Sequence, residues 1–201
     1  MSPLLQQSLA VIAYDCIYRV PCSVHKSMVD DPTYKYDPPF TEVFTDKVIH
    51  SKLAKRSTPN LISATRRLLS HALLHDPSNS MFALLSPSCI HLHSFNFTYR
   101  ILTNSGKSFI EILDIEGGAY DRWAARGEES MLPEVGFKDF RIGSQFWVLT
   151  RKHARMVVRD IRIWPKFNQT CLREDTCYPE EHYFPTLAGP ARVNFCHTNK
   201  C

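Results

Sequence analysis

Residues 57–86 read STPNLISATRRLLSHALLHDPSNSMFALLS, and two elements can be placed in them at once. Ser57-Thr58-Pro59 supplies a helix N-cap followed by proline at the first helical position, where its missing N–H is not needed. Leu61, Ala64, Leu68 and Ala72, flanked by Ile62, Leu69 and Leu73, form a broad apolar face with Thr65 as its one polar interruption. Arg66 and Arg67 fall at the edge of that face and are expected in solvent. Asp76-Pro77 stops the helix. Residues 81–86, MFALLS, are apolar without alternation, the pattern of a strand covered on both faces.

Downstream, a loop at the strand's C-terminal end (SPSCIHLHSF) leads into a helix expected from Ser94 to Asn104. Helix, buried strand, loop, helix is the order of an α/β domain with a largely parallel sheet. Loops at strand C-termini line the ligand crevice of such sheets, so Ser86, Ser88, His91 and His93 are candidates for a pocket wall. The two histidines lack a third ligand, and no metal is expected. Further strands are expected over 108–114 and 143–150, with a helix from Arg151 to Asp160 ended by Trp164-Pro165. Upstream, residues 1–39 have weak periodicity and end in a turn-rich connector, and 41–49 read as a short edge strand.

Two stretches carry candidate chemistry. In the excursion after Gly117-Gly118, Arg122, Trp123 and Arg126 combine cations with an aromatic ring. Such a set can hold a sugar by stacking and hydrogen bonding, or can belong to a surface helix with one anchoring tryptophan. Residues 171–186, CLREDTCYPEEHYFPT, bring together four carboxylates, one histidine and two cysteines. Pro179 predicts a helix start there, placing Glu180 and Glu181 in the positive end of its dipole. A carboxylate kept ionised in this way can take a proton from a hydroxyl, or can serve only as capping charge.

Composition bounds the class. The chain has 201 residues, 44% hydrophobic and 22% charged, which is one ordinary globular domain. The net charge of +4 is dispersed, which argues against a nucleic-acid partner. Among seven cysteines there is no zinc-ligand spacing. Cys171 and Cys177 bracket a short polar loop that suits a disulfide in an oxidising compartment, while Cys89 reads as a buried free thiol. Asn96 and Asn168 head glycosylation sequons. The apolar piece from Leu9 to Tyr14 is too short to span a membrane and lacks the basic flank of a signal peptide. Neither a glycine-rich phosphate loop, nor a nucleophile elbow, nor a D-x-D pair is present.

Seven segments in order resemble the plant branch of the core-2/I-branching β-1,6-N-acetylglucosaminyltransferase family: ATRRLLSHALL (64–74), FALLSPSCI (82–90), HSFNFTY (93–99), SFIE (108–111), LPEV (132–135), RIGSQFWVLTRKHA (141–154) and CYPEEHYFPTL (177–187). They imply a glycosyltransferase domain over 40–187, between a divergent segment at 1–39 and a divergent tail at 188–201. The implied fold is GT-A-like, a Rossmann-like, mostly parallel sheet flanked by helices, here incomplete. The implied reaction moves a sugar, N-acetylglucosamine, from a UDP-sugar to a glycan or glycoprotein acceptor with inversion, without metal or other cofactor. The family's Pro-Asp-Glu-His/Tyr motif stands here as Pro179-Glu180-Glu181-His182, so the general base maps to Glu181 and Glu180 replaces the aspartate. Glu180 and His182 join Ser86, Ser88, Arg122, Trp123 and Arg126 as candidate substrate-binding residues.

The resemblance also implies a Golgi-lumenal enzyme held by an N-terminal anchor. This chain is expected to lack that anchor, the first nucleotide-binding strand and the basic diphosphate-binding segment. His91 stands where the family usually has proline. The competing expectation is therefore an inactive member that acts at most as a sugar- or protein-binding module.

Overall fold

The computed structural model describes residues 8–13, 22–25, 48–49, 54, 57–85, 92–113, 117–189 and 195–196. Ser86, Ser88, Cys89 and His91, and most of the expected edge strand over 41–49, lie outside the described residues.

Seven strands form one sheet: β1 (Ser8–Ala13), β2 (Cys22–His25), β3 (Val48–Ile49), β4 (Asn79–Leu85), β5 (Ser108–Ile110), β6 (Trp147–Thr150) and β7 (Phe195–Cys196). Their spatial order is β3-β2-β1-β4-β6-β5-β7. β1 pairs parallel with β2 and β4, β2 with β3, and β5 with β7. The α/β class holds, but the sheet is mixed. β6 runs antiparallel to both of its neighbours, β4 and β5. β4 and β5 thus run the same way with a crossover helix between them, and β6 is inserted into the gap in the opposite sense.

The helices start where their caps stand. α1 (Pro59–His75) follows Thr58, whose extended backbone (φ −129°, ψ 154°) makes it the N-cap. It buries Ile62, Ala64, Leu68, Leu69 and Ala72, and Thr65 is tolerated among them because its hydroxyl donates to Leu61 O at 3.0 Å. α2 (Phe95–Ser105) is capped by Ser94, which accepts Phe97 N–H, and ends at Gly106 in the left-handed region (φ 61°). α3 (Ala119–Trp123) runs on into a 3₁₀ turn over Ala124–Arg126. α4 (Arg151–Arg159) is capped by Thr150. Trp164-Pro165 does not end this helix but opens another, α5 (Trp164–Phe167), whose first turn accommodates the proline. The Asp160 carboxylate prepares that start by accepting the N–H groups of Arg162, Ile163 and Trp164 at 2.9–3.1 Å. α6 spans Pro179–Ala188.

β4 starts two residues earlier than expected and is buried almost throughout, as a non-alternating run should be. Phe82 and Leu84 face the main core with Ile62, Leu68, Trp147, Tyr183 and Phe184. Met81 and Ala83 face the opposite side, against Tyr99, Leu102, Phe109 and Val148. The strands expected over 108–114 and 143–150 are shorter than their apolar runs. Beyond Ile110, among the described residues, an isolated bridge of Leu113 with Ile142 continues the pairing.

Arg66 corrects an expectation. It is not a solvated edge residue: its guanidinium donates to Tyr183 Oη at 2.7 Å and to the carbonyls of Val158 and Asp160, and it lies 5.0 Å from the Trp164 ring centre. α1, α4, α5 and α6 therefore meet at one cation that makes three hydrogen bonds, the condition under which a largely buried charge is tolerated.

The route back to α6 depends on one glycine. Pro185 lies inside α6 and has no N–H to offer the carbonyl of Glu181, one turn earlier. Gly143 supplies the missing donor, its N–H reaching Glu181 O at 2.9 Å. A Cβ at position 143 would collide with the Glu111 carbonyl and come within 2.9 Å of Pro185 Cγ. Gly143→Ala is therefore expected to destabilise the chain by about 1–3 kcal/mol in denaturant unfolding. A neutral effect would show that this approach is not tight.

Candidate functional site

The head of α6 is assembled from four directions. Pro179 sets the first helical φ, and Glu180 and Glu181 occupy the first turn. Before it, the sulfurs of Cys171 and Cys177 are bonded across a single 3₁₀ turn at Glu174–Thr176. That loop is held from below, since Leu172 and Arg173 N–H both donate to Ala125 O at 2.8 and 3.1 Å. Residues 141–143 run along the other side. Arg141 N–H donates to Thr186 Oγ1 at 3.0 Å, and Gly143 N–H to Glu181 O.

The paired glutamates are not equivalent. Glu180 is 2% exposed, and its Oε1 accepts the Ser57 N–H at 3.0 Å. Ser57 holds φ 60°, a left-handed conformation uncommon outside glycine, immediately before the N-cap of α1. Glu180 is thus committed to joining the heads of α1 and α6. Glu181 is half-buried.

His182 is fully buried, 5.0 Å from the Phe140 ring, and neither ring nitrogen has a hydrogen-bond partner. Burial, with lesser contributions from Arg126 and Arg122, pulls its pKa down to about 3. It is a neutral packing residue at physiological pH.

The three residues of the excursion separate. Trp123 is turned into the core, its Nε1 donating to Val135 O at 2.9 Å, and its buried face is closed to a sugar ring. The exposed rings at this place are Tyr120 and Phe137, 5.5 Å apart edge to face. Both stand in the sequence beside the segment singled out, Tyr120 three residues before Trp123, but nothing in their spacing marks them as exposed. Arg122 is half-buried, its guanidinium 5.6 Å from the Tyr178 ring centre. Arg126 is 4% exposed and lies 5.1 Å from the Phe167 ring centre. Its three guanidinium nitrogens have no hydrogen-bond partner, and burial lowers its pKa to about 10, so it stays charged.

The remaining candidates are dispersed. His93 is exposed and packs on Phe97 at 4.8 Å, far in sequence from the α6 head. Asn96 and Asn168 are both exposed. Among the described residues no group of three His, Cys, Asp or Glu side chains could hold a metal, and no helix is long and apolar enough to cross a membrane. Sequence reading missed one close polar pair, Ser108 Oγ and His153 Nδ1 at 2.7 Å. Both residues are buried, and Ser108 Oγ also accepts Thr150 N–H, so the pair ties β5 to the start of α4 rather than facing a substrate.

The fold at this level is an α/β sheet with a helix whose first turn carries two carboxylates. Residues 21–201 match the model of the Core-2/I-Branching enzyme family, and the chain belongs to that family. It is similar to Glycosyltransferase BC10 of Oryza sativa subsp. japonica, 36% identical over 149 residues, which are 64% of this chain and 35% of that protein. The chain thus spans about a third of the length of the curated relative it matches.

His182 gives a pH dependence of known sign. Its folded pKa, about 3, lies below the 6.5 of the unfolded chain, so below pH 6.5 the unfolded state binds a proton that the native state refuses. This contribution to stability is level above pH 6.5 and falls as pH drops toward 3. The slope reaches as much as about 1.4 kcal/mol per pH unit. Unfolding measured from pH 6.5 to 5 should show a shallower slope in His182→Leu than in the parent. Equal slopes would mean that His182 is protonated in the fold.

Proposed function

We propose that this chain is part of an inverting, metal-independent glycosyltransferase that moves a sugar, N-acetylglucosamine, from a UDP-sugar to a glycan or glycoprotein acceptor. Family membership supports the class of reaction. One observation carries the assignment of the base: of the two carboxylates in Pro179-Glu180-Glu181-His182, Glu180 is buried against Ser57 N–H, and Glu181 keeps an exposed edge. Only a carboxylate that a hydroxyl can reach can act as general base.

In the proposed step the acceptor hydroxyl gives its proton to the Glu181 carboxylate as its oxygen bonds to the anomeric carbon. The bond from that carbon to the UDP oxygen breaks on the opposite face, and the electron pair leaves with the diphosphate. Glu181 stands in the first turn of α6, and the Gly143–Glu181 hydrogen bond holds the backbone that aims it. The strand order supports a GT-A-like reading of the sheet. The order in which strands are added reverses between the parallel neighbours β1 and β4, a switch point of the kind beside which α/β proteins bind nucleotides. A Golgi-lumenal setting, reached through an anchor in a longer protein, suits the Cys171–Cys177 disulfide and the exposed sequon asparagines.

In a transfer assay with a UDP-sugar donor, Glu181→Gln is expected to lower turnover by about 10²- to 10⁴-fold, with unfolding behaviour kept. Glu180→Gln still offers Ser57 an acceptor oxygen and should retain most of the turnover. A dead Glu180→Gln beside an active Glu181→Gln would overturn the assignment.

A further inference from the structure

Arg126 is the anomaly of this molecule. A guanidinium carries five donors and a charge, and burying it without partners is costly unless something arrives to satisfy it. Arg66 shows how this fold treats a structural arginine, with three acceptors between 2.7 and 3.1 Å. Arg126 has none. Two acids of the same excursion are paired elsewhere, Asp121 with Arg173 at 3.2 Å and Glu134 with Lys166 at 2.9 Å.

Arg122 stands four residues earlier on the same helical segment, half-buried and likewise without a carboxylate partner among the described residues. The two arginines face Tyr178 and His182, also four apart, at the head of α6. Neither ring neutralises them. The result is a pair of uncompensated cations, the half-exposed Arg122 and the buried Arg126, beside the head of the helix that carries Glu181. Arginine forks match planar or tetrahedral oxyanions, and their strength rises out of water.

We propose that Arg122 and Arg126 form an oxyanion subsite for a negatively charged group of the substrate, either the carboxylate of an acidic sugar or a nucleotide phosphate. The proposal deepens the glycosyltransferase reading and rests on it for the nature of the ligand. Arg122, the more exposed of the two, meets the anion first, and Arg126 supplies the unused donors.

The 201-residue chain is titrated with methyl β-D-glucuronide, methyl β-D-glucoside, UDP and inorganic phosphate, with binding and melting temperature as readouts. The glucuronide or the phosphates should bind at least tenfold more tightly than the neutral glucoside, and whichever does identifies the source of the anion. Arg126→Met, which keeps contact with Phe167, and Arg122→Gln should each weaken that binding at least tenfold. Without ligand, Arg126→Met should melt no lower than the parent, because an unsatisfied buried charge has been removed. Arg122→Gln, at the more exposed position, keeps the test valid should Arg126→Met fail to fold. Three results would overturn the subsite: no preference for either oxyanion over the glucoside, binding unchanged in both variants, or a parent chain without oxyanion binding whose Arg126→Met form melts several degrees lower. Since the readout is binding, a chain that takes the oxyanion but transfers no sugar fails the transfer reading alone.

Discussion

The hydrogen bond from Gly143 N–H to the Glu181 carbonyl is the point on which the arrangement turns. Pro185 frees that carbonyl by removing the donor an ordinary helix would provide, and a buried carbonyl must then find one elsewhere. The donor comes from a segment more than thirty residues away in the chain, and only a residue without a Cβ can bring it so close to Glu111. One backbone contact therefore fixes both the end of the long excursion and the orientation of the helix head. Arg141 and Thr186 repeat the link one turn along. The Cys171–Cys177 loop closes the opposite side.

Around this joint the fold uses its charged side chains in two ways. Arg66, Tyr183 and Asp160 form a satisfied network that binds α1 to α5 and α6 and pushes the Tyr183 hydroxyl well above its usual pKa, mainly through burial. Glu180 does similar work at the start of α1. These groups have their partners within the fold. Arg122 has no carboxylate partner among the described residues, and the Arg126 guanidinium has no hydrogen-bond partner. Arg66 and Arg126 differ in their acceptors, not in burial, since both are largely out of water.

The sheet shows how the α/β class can hold while strand direction differs from expectation. β4, α2 and β5 make the parallel crossover that an apolar strand followed by a helix leads one to expect. WVLT in β6 is apolar enough for any interior position, and nothing in its composition states its direction. Direction follows from the chain path, which re-enters the gap between β4 and β5 at the end of the sheet where β5 stops, so that β6 runs antiparallel to both. That path is held by tertiary contacts, among them the Leu113–Ile142 bridge and the Trp123–Val135 hydrogen bond.

What the sequence determined by itself is whatever depends on neighbours along the chain. Proline after Thr58 and after Tyr178 starts two helices, Ser94 and Thr150 cap two more, and the unbroken apolar run of β4 is covered on both faces. The family motifs were legible for the same reason. Tertiary structure decided what depends on distant partners. It separated Glu180 from Glu181 through Ser57, turned Trp123 inward, engaged Arg66 and left Arg126 without an acceptor. Neither burial nor the pairing of a charge is a local property, because each is set by which remote backbone groups the fold carries to within 3 Å.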